Sequence, residues 1–195
     1  MLKQGRFLVF IMVLCIRLTG CISGLWTGAS MIYDRHNIYK KLSDYRLLAD
    51  VTNSIMTDKK LKGEGCVLDM AVFNGDVLIV GHLPTEDLFD EMKLRLKSIT
   101  GYRRLYNEVT VCDLPNNNFQ DAWITAKIRS FIFSDGSIDP KAFKVLTADK
   151  VVYLMGDVRK EQAEKVIAYA RQVSGVVRVV KILRYYTYQS NKSVA

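Results

Sequence analysis

Chemistry needs groups that attack, ionise or coordinate, so the cysteines and histidines come first. The 195-residue chain holds four cysteines and two histidines. His36 and His82 stand far apart and form no His-Glu-x-x-His pattern, the spacing that sets two imidazoles on one helix face for zinc. Cys66 and Cys112 are too distant for a Cys-x-x-Cys redox pair. No glycine-rich phosphate loop precedes a helix. The carboxylates scatter along helical faces, where solvation accounts for them. No catalytic constellation, metal site or cofactor site is therefore expected. The thiol with chemistry to do is Cys21. It closes Leu18-Thr19-Gly20-Cys21, which follows an apolar run at 7–16 and a start carrying Lys3 and Arg6. Positive start, apolar stretch and small residues at a cut site are the order of a secretory signal, which is removed on export. The run falls short of the roughly 20 residues that a spanning helix needs.

Leu-Thr-Gly-Cys resembles the lipobox of bacterial lipoproteins. The resemblance implies a diacylglycerol on the Cys21 sulfur, cleavage after Gly20, and acylation of the new amino terminus. A covalent lipid on Cys21 would then be the one non-protein group. Each buried methylene contributes about 0.8 kcal/mol, so one chain holds marginally and several hold durably. Arg17 departs from the pattern, in which a neutral residue is usual. Ile22, rather than Asp, follows the cysteine. By resemblance that implies sorting to the outer membrane, anchored on its periplasmic face.

The chain carries a formal charge of +8, and it stays basic when Lys3, Arg6 and Arg17 leave with the signal. A basic excess suits an anionic lipid surface or nucleic acid; export argues against nucleic acid. Cys15 also leaves with the signal. Cys66 and Cys112 remain, in a compartment where a disulfide is permitted. They pair if the strands bearing them are antiparallel neighbours; otherwise they pack as small buried thiols.

The elements around these residues repeat. Residues 21–42, with Ser23, Gly24, Gly28 and Ser30 and no sustained periodicity, read as a tether. Ser43 caps a helix to about Lys60, with Leu48, Val51, Thr52, Ile55 and Lys59 on one side. Cys66 to Phe73 and Val77 to Val80 flank Asn74-Gly75-Asp76, and Asn-Gly between apolar runs is the strongest short-range hairpin signal. Gly81 ends the second strand. Thr85 caps a helix with Leu88, Met92, Leu96 and Ile99 on one stripe, Gly101 stops it, and Leu105 to Val111 is a third strand. Pro115-Asn116-Asn117-Asn118 marks a boundary. The order then recurs: Asp121 caps a helix to Ser134, and Phe143 to Ala148 pairs across Asp149-Lys150 with Val151 to Met155. Gly156 ends that strand, Lys160 to Val173 is a helix stopped at Gly175, and Val176 to Tyr186 is the closing strand. Gly81 recurs as Gly156 and Gly101 as Gly175 at nearly one offset, so two similar α-β-β-α-β modules are expected.

Each unit resembles a BON domain. The second matches well, through Val152-Tyr153-Leu154-Met155-Gly156-Asp157-Val158, Ala163, Ala170 and Val173-Ser174-Gly175-Val176. The first is looser: it keeps Val77-Leu78-Ile79-Val80-Gly81, Gly101 and Asn107, but Tyr102 stands where Val is usual. The implied fold is α+β, with two tandem BON modules, each a three-stranded mixed sheet with two helices on one face, behind a cleaved lipoprotein signal. The boundaries are 1–20 signal, 21–42 tether, 43–114 first module, 115–120 linker, 121–187 second module and 188–195 tail. A lipobox ahead of two such modules is similar to the dual-BON outer-membrane lipoproteins, and Tyr33-Asp34-Arg35 looks like their linker.

The two leading helices differ on their outer faces. At about 100° per residue, the first places Arg46, Asp50, Asn53, Ser54 and Thr57 opposite its core, an ordinary wet face. The second buries Ile124, Ile128 and Phe131, with Ile132 at the margin. Opposite them stand Trp123, Ala126, Ser130 and Phe133, flanked by Lys127 and Arg129. Exposed aromatics mark an interface, Trp favours the headgroup level of a membrane, and a nearby cation adds roughly 1 kcal/mol at an anionic surface. The expected phospholipid site is Trp123 and Phe133 as wedges, with Lys127 and Arg129 at the headgroups. The alternative is burial of both aromatics against the first module or the tether. The expected function is non-catalytic: binding of anionic phospholipid membrane and support of envelope integrity. A rival is a lipid-tethered adaptor docking onto an outer-membrane assembly or secretion machine.

Overall fold

The computed structural model describes residues 35–115 and 118–186. The expected signal, the lipid-bearing Cys21, the tether as far as residue 34 and the tail lie outside the described residues. The chain divides into residues 1–39 and 40–195, and the second unit contains both sheets.

The first module runs α1 (Arg35–Met56), β1 (Val67–Phe73), β2 (Asp76–Leu83), α2 (Glu86–Leu96) and β3 (Arg104–Val111); a short 3-10 turn, Lys60–Lys62, follows α1. The second runs α3 (Asn118–Ser134), a 3-10 turn at Pro140–Ala142, β4 (Phe143–Ala148), β5 (Val151–Val158), α4 (Lys160–Gln172) and β6 (Arg178–Tyr185). The repeat is complete. In each sheet the middle strand pairs antiparallel with the strand before it and parallel with the strand after it, in the orders β1-β2-β3 and β4-β5-β6.

Both leading helices start earlier than their capping signals suggest. Ser43 and Asp121 sit inside helices, not at their ends. The acids near those positions do different work. Asp44 accepts hydrogen bonds from the backbone N–H groups of Asn74 and Gly75, at 2.7 and 2.8 Å. Asp121 accepts from those of Asp149 and Lys150, at 2.8 and 2.9 Å. Both hairpin turns place two residues at positive φ: Asn74 and Gly75 in one, Asp149 and Lys150 in the other. That is the two-residue turn whose twist matches the flanking strands. In each module a buried or half-buried carboxylate on the leading helix fastens the hairpin tip. Thr85 does cap α2, accepting from the Leu88 N–H at 3.4 Å.

Gly81 and Gly156 do not end their strands; β2 and β5 run past them. Their need for glycine comes from close approach. A Cβ on Gly81 would overlap the carbonyl oxygen of Val67, and one on Gly156 that of Ala142. The same crowding, where the first strand enters the sheet, recurs in both modules.

Alternation along the strands sorts the core into three layers. Val77, Ile79 and Leu83 of β2 pack with Leu47, Val51 and Ile55 of α1 and Met92 and Leu96 of α2. Val152, Leu154 and Val158 of β5 pack with Ile124, Ile128 and Ile132 of α3 and Val166 and Ala170 of α4. The stripes are thus Leu47-Val51-Ile55, with Leu48 half-buried, and Ile124-Ile128-Ile132. Phe131 sits at the margin, stacked on Tyr169 with centroids 4.0 Å apart. The opposite sheet faces meet each other: Ala71, Leu78 and Val80 pack on Ala148, Tyr153 and Met155. Two sheets lie back to back with helices outside. Burial in this seam pushes the Tyr153 phenol above its ordinary pKa.

Polar pairs close both ends of the seam. Buried His82 on β2 meets both carboxylate oxygens of Asp149 through Nδ1, at 2.9 Å, and the Leu114 carbonyl through Nε2, at 3.1 Å. At the other end the Asn74 side-chain amide donates to Asp157 at 2.7 Å, and Arg184 pairs with the same carboxylate.

The strand order bears on whether Cys66 and Cys112 pair or stay as thiols, the two alternatives the sequence left open. Cys66 precedes β1 and Cys112 follows β3, with β2 between them. Two strand spacings are about 9.6 Å, beyond the roughly 7 Å between Cα atoms that a disulfide tolerates. Both thiols are free. Cys66 donates to the Lys60 carbonyl at 3.6 Å, while Cys112 lies 3.4 Å from the Thr110 hydroxyl.

Candidate functional site

The site is built on α3. Its inner face is fixed by Ile124, Ile128 and Ile132, all buried, and by the grip of Asp121 on the β4–β5 turn. With rotation and depth set, the outer face follows from the 3.6-residue turn. It presents Phe119, Trp123, Ala126, Ser130 and Phe133. Trp123 is 44% exposed, Phe133 73% and Phe119 88%. Neither expected aromatic is covered by the first module.

Lys127 and Arg129 do unlike things. The Lys127 ammonium lies 4.8 Å from the centroid of the Trp123 ring, a cation–π contact of about 0.5–1 kcal/mol at an exposed site. It holds the indole and its own charge together on the surface. Arg129 turns toward the sheet, and its Nη2 donates to the Val145 carbonyl at 3.0 Å. Arg129 as a residue nonetheless remains exposed.

Phe119 is the residue that sequence reasoning missed. Placing the helix start at Asp121 left Phe119 in a linker. The structure adds a turn of helix before Asp121, which brings Phe119 onto the Trp123 face. The signal was the spacing itself: 119, 123, 126, 130 and 133 fall on one helical stripe. Phe119 to Phe133 spans about 21 Å along the axis at 1.5 Å per residue. A helix presenting aromatics over that length, with Lys127 between them, can lie flat at a boundary between water and an apolar phase.

Among the described residues no group of three or more histidine, cysteine or acidic side chains could hold a metal ion. No described helix is long and apolar enough to cross a membrane.

Comparison with known proteins fits this architecture. The BON domain family model matches residues 120–185, nearly the whole second module. The chain is 31% identical over 178 residues to the Outer membrane lipoprotein DolP of Haemophilus influenzae, covering 87% of this chain and 91% of that protein. It is 28% identical over 147 residues to a protein named 21 kDa hemolysin from Actinobacillus pleuropneumoniae, covering 74% of this chain and 75% of the other. Among solved structures, the C-terminal domain of CdsD, a structural protein of the type III secretion system of Chlamydia trachomatis, aligns at 10% identity and a TM-score of 0.30. That alignment covers 72% of this chain and 98% of the domain, and a likeness so slight bears on neither fold nor function.

Proposed function

We propose, from the premise that this chain belongs to the BON-domain family of the outer membrane lipoprotein DolP, that it binds anionic phospholipid through α3 and supports the integrity of the cell envelope. It does so as a non-catalytic protein anchored by lipid on Cys21 at the periplasmic face of the outer membrane. The observation that carries the reading is the outer face of α3. Phe119, Trp123 and Phe133 stand exposed on one stripe of a helix whose opposite face is locked into a closed core. Leaving such aromatics in water forgoes about 1.5–3 kcal/mol for each that could be fully buried. A bilayer interface recovers part of that, and Trp with a neighbouring cation is suited to the headgroup level.

The lipid on Cys21 supplies proximity, and α3 supplies a second contact. The closed seam between the sheets makes that contact rigid, because the second module cannot turn without the first. The test is sedimentation of the chain from Arg35 onward, which contains both closed cores, with vesicles. Vesicles containing phosphatidylglycerol should carry it down, less so at high salt, and pure phosphatidylcholine vesicles far less. Equal partition to both, or to neither, contradicts the reading.

A further inference from the structure

The second module has a feature that the lipid contact does not use. Strand β6 has β5 on one side, and its other edge is unpaired among the described residues. Beside that edge, between α4 and β6, runs a groove of about 920 Å³. Its floor is Ile167 and Ala168. Its walls carry Arg159, Lys160, Arg171 and Lys181 together with Glu161 and Glu164; Lys160 pairs with Glu164 at 3.9 Å, while Arg159, Arg171 and Lys181 have no carboxylate partner among the described residues. Val179 and Leu183 of β6 pack with the helices, and Lys181 and Tyr185, two residues on from each, share that face and so stand on the helix side, where the groove lies.

The charge is placed where the fold itself disfavours it. Arg159 is the N-cap of α4, makes no side-chain capping bond, and is followed by Lys160. Ser, Thr, Asp and Asn are preferred at that position, and a cation there faces the positive end of the helix. The first module is an internal control. Its α2 is capped by Thr85 and opens with Glu86 and Asp87, and the hollow on that helix is lined by Asp87, Asp90 and Glu91 together with Lys93 and Lys97. At the first copy of this place the acids outnumber the cations, whereas at the second Arg159, Lys160, Arg171 and Lys181 outnumber Glu161 and Glu164.

The geometry points to β6 as a docking edge for an extended, acidic segment of a partner protein. The segment adds as a fourth strand to β4-β5-β6, with its carboxylates meeting Arg159, Arg171 and Lys181. Main-chain hydrogen bonds supply the general attraction of such strand addition, and side-chain pockets supply selection. Cations on an edge deter a second copy of the same edge and admit a strand of opposite charge. The body of α4 separates this groove from the aromatic face of α3, so a bilayer and a strand can be held together.

The test uses the full chain, isotope-labelled in zwitterionic detergent, and an octapeptide that alternates aspartate with valine. Three further probes accompany it: the lysine-for-aspartate peptide, an acidic peptide with two central prolines, and polygalacturonate as a non-peptide polyanion. The acidic peptide should shift the backbone amides of Arg178–Tyr185 and bind more weakly at high salt. Lys181→Glu and Arg171→Glu should each weaken it about tenfold or more, with Lys181→Gln and Arg171→Gln intermediate, while vesicle sedimentation stays as in the parent. The proline peptide and the lysine peptide should fail to bind. Binding of the proline peptide equal to that of the acidic one, tighter binding of polygalacturonate through the same residues, or no amide shift in β6 would each overturn strand addition. Loss of vesicle binding with peptide binding intact would instead count against the α3 reading and leave this one standing.

Discussion

Replacing Trp123 with glutamate isolates the aromatic contribution of α3. About 44% of the residue's surface is exposed; on a side chain of roughly 250 Å² that is about 110 Å². At about 25 cal/mol per Å² complete transfer from water would contribute about 2.7 kcal/mol, and half insertion at the headgroup level about 1.4 kcal/mol. The new carboxylate faces anionic lipid, a repulsion of about 1 kcal/mol by the measure that applies to a cation's attraction. The cation–π support of Lys127 is lost as well. Together these predict a vesicle affinity lower by roughly 50-fold, since each 1.4 kcal/mol is a factor of ten. Fold stability should fall by only about 1 kcal/mol, the size of the lost Lys127 contact, because the side chain lies outside the core cluster. The assay is co-sedimentation with phosphatidylglycerol vesicles over a lipid titration, with thermal melting run in parallel. Unchanged affinity in a variant that stays folded would refute the reasoning.

Three other substitutions or probes test the frame behind that face. Asp121→Ala removes the charged acceptor of two backbone N–H groups; at about 1.5–3 kcal/mol for each such bond, denaturant melts should show a loss of about 3 kcal/mol or more. Gly156→Ala drives a methyl into the Ala142 carbonyl and should destabilise by about 3 kcal/mol, whereas Gly136→Ala, with nothing within 4 Å, should leave the melting temperature almost unmoved. The folded chain should keep Cys66 and Cys112 as free thiols after air oxidation. Burial raises the Cys66 pKa, so less thiolate is present at neutral pH, and iodoacetamide should label Cys66 more slowly than an unfolded cysteine peptide; mass spectrometry reads both results.

Local signals in the sequence were clear wherever one short segment decided the outcome. Asn74-Gly75 announced its turn, and the recurrence of Gly81 as Gly156 announced two copies of one module. What those glycines do was hidden, because the carbonyls they must clear belong to Val67 and Ala142, each on the neighbouring strand's approach. Strand order was likewise out of reach, and with it the separation of Cys66 from Cys112. The back-to-back seam depends on residues such as Leu78 and Tyr153, which in a strand buried on both faces give no alternation to read. His82 looked isolated because its partner, Asp149, lies in the other module. On α3 the aromatic face was legible from spacing alone, but its first member, Phe119, was masked by Asp121. That acid imitates an N-cap while it fastens a turn.

The central claim is that the outer face of α3 enters the headgroup layer of an anionic bilayer. The most direct measurement is quenching of Trp123 fluorescence by lipids brominated at known depths. It is made on the chain from Arg35 onward, in which Trp123 is the one tryptophan. The account predicts a blue-shifted emission on phosphatidylglycerol vesicles, with strongest quenching by bromines nearest the headgroups, and neither effect on phosphatidylcholine alone. A bound chain whose Trp123 emission is neither shifted nor quenched would contradict it.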